Sequence, residues 1–445
     1  MDRLLKRFAT APEAIAFVHE NISYSYKDVL KTVDDFSETL RSLKIESGQT
    51  VVVVCDYSPE VFCLFLSLAN INCIIVPLSN SAVVEEKDLM AVCGCDWRIS
   101  FDSTGLHFQA QFLGISVDNE LVSELRRRQH PGLVMFSSGS TGKPKGILHD
   151  FHTVVSKFEK QRSPIIAIPF LLIDHFGGVN TILSILASLG TAVTVADRSV
   201  EKICNAIAEY RIELLPTTPS FLTLMLASGA HKNYDLSSLT RVTYGTEVMP
   251  QTTLDRMHNI LPNAKFSQTY GLSEVGVLRS QSRSDGSLWM RIGGDGFQTK
   301  VVDGILWIKS EYAMLGYLNA PSEFDSDGWF NTQDQVEVDG EFFKILGRVT
   351  DLINVGGQKV YPSEVENVIL QMDNIEDVAV FGEVHKLLGS IVVAKVSLAS
   401  PESLNRLKIR IRAFCKLSLL PYKIPVKIVM SDTALYNERQ KKVRR

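Results

Sequence analysis

One segment of the chain concentrates residue types that bind phosphate. Residues 136–146, FSSGSTGKPKG, hold four small hydroxyl residues, three glycines and two lysines, directly after an apolar run. Glycine lets backbone N–H groups approach an anion closely, hydroxyls donate further hydrogen bonds, and lysines neutralise charge. The spacing excludes a Walker loop, because the first two glycines are too close together and proline follows the first lysine. The segment therefore predicts a phosphate-binding loop of another type.

The composition is that of an ordinary folded protein. The 445 residues are 45% hydrophobic and 22% charged, which indicates about three domain-sized units. The net charge of −4 is too small and too evenly spread to attract nucleic acid or an anionic membrane. A polyanionic ligand must therefore be bound by a local group of residues, and we expect no nucleic-acid partner.

Cysteine usage and the apolar segments indicate a cellular compartment. The seven cysteines are odd in number and lie mostly in apolar stretches, which favours a reducing environment. The first residues lack the apolar core of a signal peptide, and polar residues and proline interrupt the most apolar stretch, 61–78. We therefore expect a cytoplasmic protein without a membrane span.

Helical and strand patterns alternate through the first two thirds of the chain, which is typical of parallel sheets covered by helices. The periodicity predicts helices over 25–43, 60–68, 179–189 and 200–210, and strands over 50–55, 73–78, 192–196 and 213–216.

The pattern changes near residue 289. Short alternating strands over 300–302, 306–309 and 342–346 predict a small antiparallel or barrel-like subdomain. After residue 346 a compact α+β unit follows, with helices over 363–372 and 402–417 and strands over 377–381 and 391–397.

The phosphate loop resembles the signature of the adenylate-forming superfamily, which comprises acyl- and aryl-CoA synthetases, luciferases and carrier-loading adenylation domains. Further segments occur in the family's order: GTE at 245–247, QTYGLSE at 268–274, WFNTQD at 329–334 and GRVTDLINVGGQKVYPSEVE at 347–366. The resemblance implies a large, multi-lobed α/β N-terminal domain over 1–346, and a small C-terminal lid domain over 347–445 that rotates between two half-reactions.

The resemblance also implies roles for residues around the ATP phosphates. Ser273, where the family usually has threonine, would contact the α-phosphate, and Glu274 would bind Mg²⁺, since its carboxylate is a hard oxygen ligand. Read without the resemblance, Glu274 is a surface acid at the start of a helix. The loop residues that would bind the β- and γ-phosphates are Ser137, Ser138, Gly139, Ser140, Thr141, Gly142 and Lys145.

Other matched positions would hold the nucleoside. Tyr270 and Gly271 would lie on adenine, although an aromatic in a core is the alternative for Tyr270, and Asp334 and Arg348 would contact the ribose. Gln333 stands where the family has glycine, which puts the local turn in doubt. The segment along the edge of the base would be Gly245, Thr246 and Glu247.

The C-terminal domain carries the remaining matches. Thr350 occupies the position of the hinge, and Gly356 and Gly357 would let the backbone approach a pantetheine arm. Lys442 aligns with the family's catalytic lysine, although a solvated basic tail is the alternative. Three residues follow Lys442, so we expect the thiol acceptor to be a separate molecule.

The acyl site should lie beside the segment PFLLIDHFGGVN. His175 aligns with the family's central histidine or aromatic, although it could equally be a core histidine. Phe176 stands where relatives that activate amino acids carry the aspartate that pairs with the ammonium, which favours a plain fatty or aromatic acid. Asp174 keeps β-amino or D-amino acids open, and Ser220 is a further lining candidate.

Together these matches predict an ATP- and Mg²⁺-dependent ligase. It would convert a carboxylic acid to an acyl-adenylate and pass the acyl group to coenzyme A or to the phosphopantetheine arm of a carrier protein. Two alternatives stay open: a stand-alone amino-acid adenylation enzyme that loads a separate carrier protein, and an inactive homologue that binds nucleotide or acyl groups.

Overall fold

The computed structural model describes residues 1–80, 86–138, 144–385, 388–433, 435–437 and 442–443, with Ser138 described by its backbone alone. Within these residues the strands form four sheets, three in the large N-terminal part and one in the C-terminal part.

The helices begin where the sequence offers capping side chains. At the start of the helix predicted over 25–43, the Ser25 hydroxyl accepts a hydrogen bond from the Asp28 N–H, and the Asp28 carboxylate accepts one from the Ser25 N–H. The described helices are α1 (Asp2–Phe8), α2 (Tyr26–Ser42), α3 (Pro59–Asn70), α4 (Glu86–Cys93), α5 (Glu120–Arg128), α6 (Phe151–Ser156), α7 (Phe176–Ala187), α8 (Val200–Tyr210), α9 (Pro219–Ser228), α10 (Gln251–Ile260), α11 (Pro362–Ile369) and α12 (Leu404–Cys415).

The first sheet has a parallel centre, as the alternating pattern predicted, and antiparallel edges. Its strand order is β19-β8-β7-β4-β3-β5-β6. These strands are β3 (Thr50–Val54), β4 (Ile74–Leu78), β5 (Cys95–Phe101), β6 (Phe108–Ile115), β7 (Gly132–Ser138), β8 (Pro144–Asp150) and β19 (Gly316–Tyr317).

The second sheet is parallel except at β2, and its order is β13-β12-β11-β9-β10-β1-β2. Helices α2, α3 and α7 contribute to one hydrophobic core with strands of both sheets. The strands are β1 (Ile15–His19), β2 (Ile22–Ser25), β9 (Ile166–Ala167), β10 (Thr191–Val193), β11 (Leu214–Thr217), β12 (Arg241–Tyr244) and β13 (Lys265–Gln268).

The third sheet is the small antiparallel unit that the sequence predicted after residue 289, although it begins earlier, at Tyr270. Its order, β14-β15-β16-β21-β20-β18-β17, runs from one edge strand to the other. The strands are β14 (Tyr270–Leu272), β15 (Gly276–Ser282), β16 (Met290–Gly293), β17 (Phe297–Val302), β18 (Ile305–Ser310), β20 (Phe330–Asp339) and β21 (Phe342–Arg348).

The C-terminal part has its own hydrophobic core, which begins at Ile353 and includes α11 and α12. A single 3₁₀ turn, Val349–Asp351, joins it to β21. Its sheet has the order β23-β22-β25-β24, with β26 beside β25. The strands are β22 (Ile353–Val355), β23 (Gln358–Val360), β24 (Ile375–His385), β25 (Gly389–Leu398) and β26 (Lys427–Met430).

The seven cysteines are free and buried. None of the helices in the described part of the chain combines the length and the apolar character that a membrane crossing requires.

Candidate active site

The phosphate loop joins β7 to β8. These strands pair as a hairpin in which Ser137 lies opposite Lys145, so the two ends of the loop are fixed beside each other. Four predicted phosphate-binding residues, Gly139, Ser140, Thr141 and Gly142, lie outside the described residues.

A chain of polar contacts connects Lys145 to Glu274. The Lys145 ammonium lies 2.5 Å from Glu323 Oε1 and 4.7 Å from the centre of the Tyr317 ring. The Tyr317 hydroxyl donates to Glu274 Oε1 at 3.0 Å and also contacts Glu323 Oε2 at 3.4 Å. One cation and two carboxylates therefore meet around a single phenol.

Ser273 is positioned by a buried histidine. His149 Nε2 donates to the Ser273 carbonyl at 2.7 Å, since a carbonyl can only accept, while no hydrogen-bond partner of Nδ1 is present among the described residues. Complete burial lowers the pKa of His149 to about 4, so the ring is neutral near pH 7. The Ser273 hydroxyl makes no hydrogen bond within the described part of the chain.

Tyr270, Asp334 and Arg348 come together at the predicted ribose position. Asp334 and Arg348 are opposite residues of β20 and β21, and their side chains approach to 3.4 Å. Burial raises the pKa of the Asp334 carboxyl, and Arg348 opposes this rise. Burial also raises the pKa of Tyr270, so its phenol stays protonated. The Tyr270 O–H donates a hydrogen bond to Asp334 Oδ2. The tyrosine is therefore a packed residue with a polar contact to the carboxylate.

Gln333, the residue at which this sequence departs from the family motif, lies in a turn of the backbone. Gln333 adopts φ 59°, a left-handed conformation that glycine takes without strain. Its N–H donates to Asn331 Oδ1 at 2.9 Å, and the Asp334 N–H donates to Thr332 Oγ1 at 3.0 Å. These local bonds hold the backbone at Gln333 in a left-handed turn.

The loop after β12 approaches α9. Gly245 is obligatory there, because a Cβ would lie 2.5 Å from Thr269 Oγ1, and Thr246 follows with φ 71°. Glu247 Oε2 accepts from the Ser220 hydroxyl at 2.6 Å. These residues lie at the carboxyl ends of parallel strands, which is the edge where open α/β sheets bind ligands.

Lys442 reaches this loop with its backbone but not with its ammonium. The Lys442 N–H donates to Glu247 Oε1 at 2.5 Å, whereas Nζ lies 2.7 Å from Asp377 Oδ1 and donates to Val378 O at 2.8 Å. Burial opposes the charge, but Asp377 and Glu366 outweigh burial and raise the pKa of Lys442. The structure thus brings the predicted catalytic lysine near the nucleotide side and pairs its charge within the C-terminal domain.

The predicted acyl residues surround the start of α7. His175 is the N-cap of α7 and accepts from the Gly177 N–H at 3.1 Å. Phe176 is buried, with its ring centre 4.6 Å from that of His149. Asp174 is also buried, and its Oδ2 accepts from the Ser79 hydroxyl at 2.6 Å.

The predicted hinge and tunnel residues are exposed. Thr350 lies in the 3₁₀ turn that connects the two parts of the chain. Gly356 and Gly357 form the turn between β22 and β23 with φ 58° and 86°, so this turn favours glycine for its backbone conformation.

Sequence reasoning missed several residues at or near the site. Glu323, Tyr317 and Lys157 belong to no recognised motif, and only their contacts reveal them. His130, Asp150 and His152 form a separate cluster, in which His130 Nδ1 lies 2.8 Å from Asp150 Oδ2. In the sequence, its residues lie in the segments HPG, which leads into β7, and HDFH, at the end of β8, which the hairpin brings together at its open end.

Comparison with known proteins identifies the family. Residues 4–318 match the AMP-binding enzyme family, and residues 364–442 match the AMP-binding enzyme C-terminal domain. The chain therefore belongs to the AMP-binding enzymes, the adenylate-forming superfamily.

Individual relatives are CoA ligases. Acyl-CoA synthetase 7 of Caenorhabditis elegans is 31% identical over 56% of this chain, and the match spans about half, 52%, of that protein. Indoleacetate–CoA ligase of Aromatoleum aromaticum is 29% identical over 97% of this chain and 94% of its own length. The anthranilate CoA ligase AuaEII, solved with anthranoyl-AMP, has the same fold, with a TM-score of 0.84 at 18% identity over 100% of this chain and 95% of that one.

Proposed function

We propose that this protein joins a carboxylic acid to a thiol in two steps, of which the first consumes ATP. In the first, a carboxylate oxygen of the acid forms a bond to the α-phosphorus of ATP, and pyrophosphate leaves as the bond to the β-phosphate oxygen breaks. In the second, the sulfur of a thiolate forms a bond to the acyl carbon and AMP leaves. The products are a thioester, AMP and pyrophosphate.

The observation that carries the proposal is the contact chain from Lys145 through Tyr317 to Glu274. Both reactants of the first step are anions, so the site must supply positive charge and fixed donors where negative charge accumulates. Lys145 supplies the charge beside the phosphate loop, while Asp334 and Arg348 supply polar contacts for the sugar. Lys145 lies at the start of β8, and Glu274 follows β14. Asp334 and Arg348 are paired residues of β20 and β21.

The residues present fit Mg²⁺. Glu274 offers a carboxylate oxygen beside the Tyr317 hydroxyl, and Mg²⁺ prefers such hard oxygen ligands together with phosphate oxygens. Glu274 would hold the ion, which when bound neutralises part of the phosphate charge. Within the protein, Tyr317 fixes the Glu274 carboxylate, and Lys145 then contacts the phosphates.

The surroundings of α7 favour a fatty or aromatic acid over an amino acid. Phe176 presents an apolar ring, which cannot neutralise an ammonium group. Asp174 already accepts a hydrogen bond from Ser79. An α-amino acid would therefore lose the hydration of its ammonium without gaining a carboxylate partner from position 176.

The test is ATP–pyrophosphate exchange by the full chain across fatty, aromatic and amino acids. We expect exchange with one or more plain acids, no exchange with α-amino acids, and a loss of about 100-fold or more in Glu274→Gln. Measurable ATP binding without exchange for any acid would overturn the proposal in favour of an inactive nucleotide-binding homologue. The matched control is Glu337→Gln, which removes an exposed carboxylate from β20.

The thiol acceptor is tested separately. Mass spectrometry should detect the thioester after incubation of the enzyme, ATP and the best acid with coenzyme A, or with a phosphopantetheinylated carrier protein. We propose coenzyme A as the acceptor because the relatives named above are CoA ligases. Thioester formation on the carrier protein alone would contradict this assignment.

A further inference from the structure

Lys157 lies where α7 packs against β15, near the predicted acyl-site residue Phe176. Its ammonium donates to Asn180 Oδ1 at 2.9 Å and to the Val277 carbonyl. Asn180 is one helical turn beyond Phe176 on α7, and Val277 follows Gly276 on β15. A Cβ on Gly276 would lie 3.8 Å from the Phe176 ring, so α7 and β15 are in close contact there. The ammonium therefore lies on the same side of α7 as the acyl residue.

The charge of Lys157 has no carboxylate partner within the described residues. Both acceptors of its hydrogen bonds are neutral, and the other near groups are the rings of Phe158 and Phe297, whose centres lie 5.7 and 5.9 Å away. Burial and two nearby cations, Arg162 and Arg279, lower the pKa of Lys157 to about 7. Buried charges in proteins are normally paired, so this position lacks an anion.

Asp295, an acid of this region, is paired with other cations. Asp295 lies 3.7 Å from Arg279 and 3.9 Å from Lys160, and its side chain is largely exposed. An ammonium carries three donors, and Lys157 uses two of them. One donor and an unbalanced positive charge are therefore left for a ligand.

We infer that Lys157 binds a second carboxylate at the far end of the substrate, so that the acid activated here is a dicarboxylic acid. This inference rests on the proposed ligase function and names the substrate class of the same site. Asn180 lies four residues after Phe176, about 6 Å further along the helix axis. A diacid with a flexible chain and a diacid with a rigid ring therefore both serve as probes of this position.

The experiment compares matched acids in ATP–pyrophosphate exchange. The pairs are adipate against hexanoate, and terephthalate against 4-methylbenzoate. We expect the full-length protein to use the dicarboxylic member with a kcat/KM at least tenfold higher. Lys157→Met keeps the length of the side chain and removes the charge, and it should lower kcat/KM for the diacid at least tenfold while leaving the monoacid unchanged or improved.

Two further variants separate charge recognition from stability. Lys160→Met removes an exposed lysine three residues away and should leave the diacid preference intact. Lys157→Arg keeps the charge and should retain part of the preference. If the Lys157→Met variant does not fold, the comparison of diacid and monoacid in the wild-type protein still decides the question.

Each result bears on a different proposal. Equal use of both acids in a pair, or a preference for the monoacid in the unmodified protein, overturns the role of Lys157 and leaves the ligase function standing. The absence of exchange with every acid, mono- and dicarboxylic, overturns the ligase function itself.

Discussion

The Lys442 ammonium lies 2.7 Å from Asp377 Oδ1 on β24, while the backbone N–H of the same residue contacts Glu247 of the large domain. The C-terminal segment therefore bridges the two parts of the chain. Because Asp377 neutralises the ammonium, Lys442 can assist a reacting carboxylate only after this ion pair opens. Lys442 and Asp377 both follow the turn that contains Thr350, so rotation about this turn would move the pair as a unit and break the contact of the Lys442 N–H with Glu247.

Lys442→Ala tests whether this lysine assists adenylation. We expect ATP–pyrophosphate exchange to fall by about 100- to 1000-fold, because a cation that stabilises charge in the transition state is lost. Thioester formation from added acyl-adenylate should be little changed. Lys427→Ala is the control, since it removes an exposed lysine that pairs with Glu383 in the same domain. Near wild-type exchange in Lys442→Ala would contradict a catalytic role for Lys442. It would instead favour a structural role for its ion pair with Asp377.

The pair Lys145–Glu323 predicts opposite effects on ATP binding. Glu323 competes with the phosphates for the lysine, so Glu323→Gln should lower the KM for ATP several-fold, whereas Lys145→Ala should raise it at least tenfold. Steady-state kinetics at saturating acid and Mg²⁺ measure both constants. The control is Glu337→Gln, which breaks the exposed pair with Lys344. A higher KM for ATP in Glu323→Gln would show that the carboxylate helps to hold the nucleotide.

Because the backbone at Gln333 is left-handed, we expect the substitution of this residue by glycine not to destabilise the protein. A non-glycine residue pays roughly 1–2 kcal/mol for this conformation, and glycine adds about 0.4–1 kcal/mol of unfolded-state entropy. Gln333→Gly should therefore leave the free energy of unfolding unchanged or raise it by up to about 1.5 kcal/mol. Gln333→Val should lower it by more than about 1 kcal/mol, since a β-branched residue tolerates positive φ poorly.

Denaturant unfolding measures these changes at Gln333. The comparison is Glu337→Gly in the same strand, which should cost about 0.5–1 kcal/mol because its backbone is an ordinary extended one. A Gln333→Gly variant that is destabilised as much as Glu337→Gly would contradict the strain argument.

His149 predicts a loss of stability in mild acid. Its pKa is lowered from 6.5 to about 4, so the unfolded chain binds a proton between these values and the folded protein does not. Stability therefore falls as the pH drops below 6.5, and the contribution of this histidine at pH 5 is about 2 kcal/mol by proton linkage.

His149→Gln should remove this contribution while keeping a donor for the Ser273 carbonyl. Urea unfolding at pH 7.5 and pH 5.0 should show a smaller pH effect in the variant than in the wild type. His107→Gln changes an exposed histidine and should behave as the wild type. Identical pH effects in all three proteins would mean that His149 is not the responsible group.

The fold class followed from the sequence because periodicity and turn residues are local signals. The Ser25–Asp28 capping pair and the β-branched run at 50–54 specify a helix and a buried strand from neighbouring residues alone. The start of the antiparallel sheet at Tyr270 was not predicted, because Tyr270–Leu272 is too short to show a strand period.

Some residues of the candidate site could likewise be named from the sequence, and others could not. Glu274, Asp334 and Arg348 were named from motifs, since each motif has its predicted site residue at a fixed place in a short string. Glu323 could not be named, because it meets Lys145 across 178 residues of chain.

The sequence by itself determined the family and the two-part organisation, and it named the residues that we predict to contact the nucleotide. Only the tertiary structure decided that Lys442 pairs with Asp377, that Lys145 pairs with Glu323, and that Lys157 lies buried against Asn180 and Val277 without a carboxylate. The physical reason is that charge pairing and burial depend on distances in space. These distances are set when α7, β15 and the C-terminal domain pack together, and no local pattern of residue types contains them.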